Sequence, residues 1–127
     1  MTQKERNLID YSIFEKKYKK ILITGGLGFI GSALIFRLLK NTHSKIFNID
    51  KLIQESNLLS VNNQFFNYGK SRYKFFNYDL KDDEYLKKIF KESDPDIVFH
   101  LAAESHVDKS IDSPRNFLES NIVGTFN

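Results

Sequence analysis

Three glycines, each separated from the next by two residues, stand between an apolar run and a helical pattern. Gly25 allows a tight turn that a Cβ would block, Gly28 lets the backbone approach a pyrophosphate, and Gly31 lets the helix pack closely on the strand before it. Because a helix N-terminus presents free N–H groups and a partial positive charge, it stabilises an anion. The stretch predicts a nucleotide-binding turn.

A carboxylate follows at the distance that such a turn requires. Residues 45–50 form a second apolar run that ends in Asp50, and a carboxylate there can accept hydrogen bonds from the hydroxyls of an adenosine ribose. Glycines also cluster in ordinary turns, and a surface Asp after a strand is common. The order of strand, glycines, helix, strand and Asp50 makes the nucleotide site the favoured interpretation.

Composition excludes several classes of function. The chain has 127 residues, no cysteine and a net charge of +3, so it has the length of one domain and no disulfide or thiolate chemistry. The whole net charge lies in residues 1–20, while the rest is neutral, which does not favour nucleic-acid binding. No apolar run reaches membrane-spanning length. We expect a cytoplasmic protein with no membrane or metal partner.

The elements around the turn alternate between strands and helices. Strands are predicted at 21–23, 45–50, 73–77 and 96–101, and helices at 29–40, 82–93 and from 114 onward. Such alternation gives right-handed crossovers and a Rossmann-type α/β fold. We expect a parallel sheet in the order 3-2-1-4, with helices on both faces.

Several local assignments go with this fold. The first helix is predicted to bury Ile30, Ala33, Leu34 and Leu38, and the helix after residue 82 to bury Leu86, Ile89 and Phe90. We predict a short helical turn at 55–59, a loop over 62–72, and a fourth strand covered on both faces. Residues 1–19 form a basic arm before a domain of residues 20–127. The arm is predicted as a solvated leader, with a short amphipathic helix as the alternative.

The fourth strand and the residues after it carry a more specific signal than the glycines. Residues 100–111 read HLAAESHVDKSI, and 121–125 read NIVGT. With residues 24–32 and 50–52, they resemble dTDP-glucose 4,6-dehydratases, NAD-dependent members of the extended short-chain dehydrogenase superfamily. The resemblance covers residue 20 to the end. Lys109 stands where the family usually has Arg, and residues 53–56 differ from its usual Thr-Tyr-Ala-Gly.

The resemblance implies a set of roles around NAD. Phe29 and Ile30 would present backbone N–H groups to the pyrophosphate, and Asp79 would accept from the adenine amine. The remaining cofactor contacts are implied for Lys51, Leu52 and Ile53 at the ribose, Leu80 at the adenine, Leu101, Ala102, Ala103 and Glu104 at the nicotinamide, and Ser105 and Ser120 beside the cofactor. Ser105 and His106 would also contact the sugar nucleotide, dTDP-glucose.

Each of these roles has a simpler alternative. Asp79 could cap the helix that begins near Asp82, and His106 could be a packing residue. A hydrolase that uses Ser105 and His106 is discounted, because no strand–turn–helix elbow surrounds the serine.

No catalytic residue is predicted in this chain. The resemblance implies a Tyr base with a Lys four residues later and a Thr-Asp-Glu stretch, but none of the six tyrosines here has that Lys. The resemblance therefore implies the amino-terminal part of a longer enzyme, homodimeric when complete, whose later strands and substrate domain are not in this chain. Its reaction would be oxidation at C4, loss of water across C5–C6 and hydride return to C6. The alternatives are a non-catalytic nucleotide-binding module and part of a related NAD-dependent epimerase.

Overall fold

A computed structural model describes residues 10–51, 56–104 and 111–127, and places twelve elements there. The strands are β1 (Lys20–Thr24), β2 (Lys45–Asp50), β3 (Tyr73–Asn77) and β4 (Ile97–His100). The helices are α1 (Ser12–Lys17), α2 (Phe29–Asn41), α3 (Ser56–Gly69), a 3-10 turn (Lys70–Arg72), α4 (Asp83–Ser93), α5 (Pro114–Leu118), a π segment (Glu119–Val123) and α6 (Gly124–Phe126).

The four strands form one parallel sheet in the order β3-β2-β1-β4, as predicted. β1 lies between β2 and β4, and its residues from Ile21 to Thr24 are buried. The order reverses direction at β1, because the chain adds β2 and β3 on one side of it and β4 on the other. In open α/β sheets, ligands bind outside the carboxyl ends of the strands at such a switch point.

Helices cover both faces of the sheet, which confirms the second part of the prediction. On one face, Ile21 and Ile23 of β1 pack with Ile35 and Leu39 of α2 and with Phe65 of α3. On the other face, the core cluster contains buried side chains of β1, β2, β3 and α4: Leu22, Ile49, Phe76, Leu86 and Ile89. Alternate residues of β1 thus enter different cores, as the pleat of a strand requires.

The predicted apolar face of α2 is partly wrong. Leu38 is buried, but Ile30 and Ala33 are exposed and Leu34 is only half-buried. The helix buries Gly31, Ile35, Leu38 and Leu39 instead. Apolar residues surround most of this helix, so their spacing does not select one face. The contact of α2 with the glycine-rich turn and β1 selects it.

The prediction of a loop over 62–72 is wrong. Helix α3 continues to Gly69, and the 3-10 turn follows it. Phe65 is buried in the core, and the buried Asn62 Oδ1 accepts a hydrogen bond of 2.7 Å from the hydroxyl of Tyr73. Asn has low intrinsic helix propensity, which favours a loop in the sequence. Tertiary packing of one face outweighs that preference.

Smaller corrections concern α4, β4 and the last helix. Leu86 and Ile89 are buried as predicted, whereas Phe90 is 40% exposed. Val98 of β4 is also 40% exposed, because the core under α4 contains residues of β1, β2 and β3 but none of β4. The helix predicted from Pro114 is interrupted by the π segment.

The described part of the amino-terminal arm contains one short helix, α1. Phe14 and Tyr18 pack against the core on the α2 side, and Glu15 Oε1 accepts a hydrogen bond of 2.9 Å from His43 N. The alternative of a short helix is therefore confirmed for residues 12–17, and a solvated leader is wrong for Phe14 and Tyr18. Leu8 and Ile9, two further apolar residues of the arm, lie outside the described residues.

Two neighbouring phenylalanines test the assignment of α3. Phe65→Ala should lower the free energy of unfolding by about 3 kcal/mol, since it empties a fully buried aromatic site. Phe66→Ala, at a side chain that is 42% exposed, should cost about 1 kcal/mol. Urea unfolding followed by circular dichroism measures both. Equal small losses would contradict the helix, because they are the result expected of a loop.

Candidate nucleotide-binding site

The glycine-rich turn follows β1 at the switch point of the sheet. Gly25 has a φ of +71°, and a Cβ there would lie 2.6 Å from Ala102 N and 2.7 Å from the carbonyl carbon of Leu101. A Cβ on Gly31 would lie 2.2 Å from the carbonyl oxygen of Gly25. Both positions therefore require glycine for the fold itself, because backbone occupies the space that a side chain would need.

Gly28 differs from its two neighbours. A Cβ on Gly28 would meet one atom, the carbonyl oxygen of Gly25, at 3.3 Å, and otherwise would point into open space. Gly28 is the N-cap of α2, so the free N–H groups of the first turn of α2 begin directly after it. No described residue accepts a hydrogen bond from the N–H groups of Phe29 and Ile30. This cradle is open, electropositive and suited to a phosphate.

Asp50 lies at the carboxyl end of β2, beside the turn. Its Oδ2 accepts a hydrogen bond of 2.8 Å from Leu27 N. Burial raises the pKa of Asp50, and hydrogen bonds from the backbone N–H groups of Leu27 and Lys51 offset only part of this increase. The carboxylate is thus held next to the phosphate cradle, where added hydroxyl donors would stabilise its charge.

Asn48 is a site residue that the sequence analysis missed. It is fully buried, its Oδ1 accepts a hydrogen bond of 3.1 Å from Gly26 N, and its Nδ2 donates one of 2.9 Å to the hydroxyl of Tyr73. Tyr73 in turn donates to Asn62. This network fixes the backbone of the turn from below. The signal in the sequence is an amide inside the apolar run 45–50, where a polar side chain needs buried partners.

Asp79 follows β3 and is paired with lysines. Lys51 Nζ lies 2.8 Å from Asp79 Oδ2 and Lys81 Nζ lies 3.9 Å from it, while Lys81 N donates to Oδ1 at 3.1 Å. Burial raises the pKa of Asp79, but the hydrogen bond from Lys51, the Lys81 N–H and both positive charges outweigh it, so the pKa is lowered overall. The alternative that Asp79 caps α4 is wrong, since Asp82 accepts from Tyr85 N.

The segment after β4, residues 101–104, lies against the glycine-rich turn. Leu101 N donates to Thr24 O at 3.0 Å and Ala102 N donates to Thr24 Oγ1 at 3.3 Å. At its other end, Glu104 pairs through its backbone with the side chain of Asn121 in the π segment. The structure therefore brings the predicted residues 101–104 to the same edge as the turn and Asp50.

The other predicted residues divide into two groups. Leu80 packs against the core on the α4 side, and Ser120 is half-buried within the π segment. Four predicted site residues lie outside the described residues: Leu52, Ile53, Ser105 and His106.

Within the described part of the chain, no three His, Asp or Glu side chains are grouped to hold a metal ion. No helix described there is long and apolar enough to cross a membrane.

The parallel sheet, the glycine-rich turn after β1 and the carboxylate after β2 define a Rossmann-type α/β domain. A family model described as GDP-mannose 4,6 dehydratase matches residues 22–127. The chain belongs to this family.

Two kinds of relatives agree with the assignment. The dTDP-glucose 4,6-dehydratase of Salmonella typhimurium is 50% identical over 107 residues, which are 84% of this chain. This match confirms the resemblance found in the sequence. Among solved structures, the UDP-glucose-4-epimerase of Stenotrophomonas maltophila with bound NAD aligns with a TM-score of 0.73 at 27% identity over 85% of this chain. The UDP-glucose 4-epimerase of Thermus thermophilus in complex with NAD gives 0.67 at 30% identity over 84% of this chain.

These relatives are much longer than the chain. The 127 residues span 29% of the Salmonella dehydratase and 31% of each of the two epimerases.

The raised pKa of Asp50 predicts how stability depends on pH. Ionised Asp50 is less stable in the folded chain than in the unfolded chain, so its carboxylate destabilises the fold above its raised pKa and has no such effect below about pH 4. Asp50→Asn keeps an acceptor for Leu27 N and removes the charge. The variant should therefore be more stable than the original chain at pH 7, and this gain should shrink as the pH falls towards 4.

Urea unfolding between pH 4 and pH 8 measures the free energy of unfolding of the original chain and of Asp50→Asn. Because both chains share all other titratable groups, the contribution of those groups cancels in the difference. Asp94→Asn, at the opposite end of the sheet, is the control for the change of charge. An advantage of Asp50→Asn that grows towards pH 4 would contradict the burial of an ionised carboxylate.

Proposed function

We propose that the chain binds NAD across the carboxyl ends of β1, β2 and β4, and forms the NAD-binding part of a dTDP-glucose 4,6-dehydratase. The observation that carries the proposal is the contrast among the glycines. A Cβ on Gly25 or Gly31 would lie within 2.7 Å of backbone atoms, whereas a Cβ on Gly28, at the start of α2, would meet one described backbone atom, the Gly25 carbonyl oxygen, at 3.3 Å. Glycine at position 28 is explained by the close approach of a phosphate from outside the chain.

The surrounding groups fit the rest of a dinucleotide. The N–H groups of Phe29 and Ile30 would hold the pyrophosphate, Asp50 the adenosine ribose, and Asp79 with Leu80 the adenine. Residues 101–104 would line the nicotinamide side, with Ser120 nearby. Leu52, Ile53, Ser105 and His106 retain the roles that the sequence resemblance implies. When bound, NAD supplies the hydride acceptor for the family reaction.

The dehydratase assignment is favoured over an epimerase by the degree of identity. The Salmonella dehydratase is 50% identical to the chain, whereas the two epimerase structures are 27% and 30% identical. The names of these relatives all refer to nucleotide sugars, which supports a nucleotide-sugar substrate. The catalytic Tyr and Lys and the Thr-Asp-Glu stretch would come from sequence beyond these 127 residues, in an enzyme expected to be a homodimer.

NAD should bind at least about tenfold more tightly than NADP. A 2′-phosphate facing Asp50 meets a repulsion of about 4 kcal/mol per charge pair at 4 Å near a surface, and a third of that is about tenfold in affinity. Lys51 could offset this repulsion, but it is paired with Asp79. Isothermal titration of both cofactors measures the ratio. Asp50→Asn should bring the affinities for NAD and NADP closer together, whereas the control Asp94→Asn should leave their ratio unchanged. Equal affinities of the original chain for NAD and NADP would refute the preference.

Gly28→Ala tests the phosphate cradle itself. Because the added Cβ meets little of the protein, the variant should unfold within about 1 kcal/mol of the original chain, yet its NAD affinity should fall at least tenfold as the methyl group takes the space of the phosphate. Unfolding and titration are measured on the same sample. Undiminished NAD binding by a folded variant would remove the main support for the site.

The division into an arm of residues 1–19 and a binding domain of residues 20–127 leads to a separate expectation. The helix α1 packs near the amino-terminal ends of the strands, where Lys19 N donates to Asp96 Oδ2 at 2.8 Å, and the proposed site lies at the opposite ends. Deleting residues 1–19 should lower stability and leave NAD affinity within about threefold. If the shortened chain does not fold, Phe14→Ala takes its place in the titration. A loss of NAD affinity of more than about threefold in the shortened chain or in Phe14→Ala would contradict the division.

The 127-residue chain alone should not convert dTDP-glucose, even with saturating NAD. Oxidation at C4 needs a base on the substrate hydroxyl, and loss of a general base typically costs two to four orders of magnitude. An assay for the 4-keto-6-deoxy product measures turnover, with Gly28→Ala as the background. Product formation clearly above that background would mean that a base within this chain has been overlooked.

A further inference from the structure

The side chain of Lys81 lies between two carboxylates, at the end of the site where the adenine is proposed to bind. Its Nζ is 2.9 Å from Glu119 Oε2 and 3.9 Å from Asp79 Oδ2. The first distance is that of a hydrogen-bonded ion pair, whereas the second is too long for a hydrogen bond. Lys81 is therefore bound to Glu119 and is only close to Asp79.

The segment that carries Lys81 packs against the end of the last helix. Asn127 Nδ2 donates to Leu80 O at 3.1 Å and to Lys81 O at 3.2 Å. A Cβ on Gly124 would lie 3.2 Å from Leu80 Cβ, so the backbone of α6 approaches this segment closely. These contacts bring the two segments together beside the ion pair, and the fold thereby supports the pairing of Lys81 with Glu119.

Asp79 keeps part of its acceptor capacity because Glu119 holds the ammonium of Lys81. An ionised carboxylate can accept about four hydrogen bonds. Oδ1 of Asp79 accepts one of 3.1 Å from Lys81 N, and Oδ2 accepts one of 2.8 Å from Lys51 Nζ. The Asp79 side chain is 28% exposed. A ligand can therefore reach the acceptor positions that these two bonds leave open.

The charges of this group balance only while Glu119 is ionised. The carboxylates of Asp79 and Glu119 offset the ammonium groups of Lys51 and Lys81. The hydrogen bond to Glu119 raises the pKa of Lys81, and the negative charges of Asp79 and Glu119 add to the increase, so Lys81 stays charged. Without the charge of Glu119, the group would carry one net positive charge, and Asp79 would be the carboxylate left within ion-pair distance of Lys81.

Position 6 of a purine distinguishes between these two arrangements. Adenine carries an amino group there, which donates hydrogen bonds, whereas hypoxanthine carries a carbonyl group, which accepts them. While Glu119 holds Lys81, Asp79 presents an acceptor that suits the amino group. An ammonium moved onto Asp79 would take up acceptor positions and present a donor, which suits the carbonyl group.

We propose that Glu119 is a specificity-determining residue: by holding Lys81 away from Asp79, it makes the site select a dinucleotide whose base is a 6-aminopurine. The proposal rests on the proposed function, since Asp79 is the acceptor for the adenine there. Glu119 acts through Lys81 and not by contact with the dinucleotide.

Glu119→Gln is the direct test, because it removes the charge and keeps the size of the side chain. Isothermal titration of the 127-residue chain measures the affinities for NAD and for nicotinamide hypoxanthine dinucleotide. The original chain should bind NAD at least about tenfold more tightly, and Glu119→Gln should reduce this ratio at least about fivefold. Circular dichroism checks that each variant is folded, which is expected because Lys81 and Glu119 are both partly exposed.

Glu92→Gln is the matched control for the loss of a paired carboxylate. Glu92 forms an ion pair with Lys74 near the start of β3, whereas Asp79 follows the end of that strand. The ratio of the two affinities in Glu92→Gln should therefore stay within about twofold of that of the original chain.

Lys81→Met tests whether Glu119 acts through Lys81. In this variant no ammonium at position 81 can move onto Asp79, so the preference for NAD should stay within about twofold of the original. Adding Glu119→Gln to Lys81→Met should then leave the ratio unchanged. A merely structural role of Glu119 would instead lower the affinities for both dinucleotides alike and leave their ratio as it was.

The outcomes separate this inference from the proposed function. Failure of the original chain to bind NAD would overturn the proposed function and this inference with it. NAD binding with no preference over the hypoxanthine analogue, or with the same ratio in Glu119→Gln, would overturn the role of Glu119 and leave the proposed function standing. An equal change of the ratio in Glu92→Gln, or in the double variant without Lys81, would overturn that role as well.

Discussion

The backbone of the turn after β1 lies in direct contact with the backbone after β4, and most of the site depends on this contact. A single Cβ on Gly25 would come within 2.7 Å of main-chain atoms of Leu101 and Ala102. Main-chain atoms cannot move aside as a flexible side chain can, so the contact allows only glycine there. It also requires that β1 and β4 end at the same level, which the parallel register between Thr24 and His100 provides.

Buried polar groups hold the turn from the sheet side. Asn48 uses its amide to bind Gly26 N above it and the Tyr73 hydroxyl beside it, and Tyr73 reaches Asn62 of α3. Burial raises the pKa of Tyr73, so the phenol stays protonated and able to donate. Because an unpaired polar group would be costly in this core, the network couples the position of α3 to the conformation of the turn.

Charge is arranged differently at the two carboxylates of the site. Asp50 is buried beside the turn without a lysine partner among the described residues, and its pKa is raised. Asp79 is paired with Lys51 and Lys81, and Lys81 continues to Glu119 at 2.9 Å. The pairing links the ends of β2 and β3 to the π segment. Lys51, the cation nearest to Asp50 in the sequence, is paired with Asp79. The negative charge of Asp50 is therefore not neutralised by Lys51 and can interact with a ligand.

The sequence alone determined the features that depend on neighbouring residues. The alternation of strands and helices, the parallel order, the glycine-rich turn and the placement of Asp50 all follow from local periodicity and turn chemistry. The motif after the fourth strand also sufficed to recognise the family. Only the tertiary structure decided which face of α2 is buried, that residues 62–69 are helical, and that Asn48 and Asn121 bind the backbone of Gly26 and Glu104. In each of these cases the deciding partner is distant in the sequence: α3 is held by its packing on β3, Asn48 by Gly26 and Tyr73, and Asn121 by the backbone of Glu104. Local propensity carries no information about such partners, because the contacts that outweigh it exist only after the chain has folded.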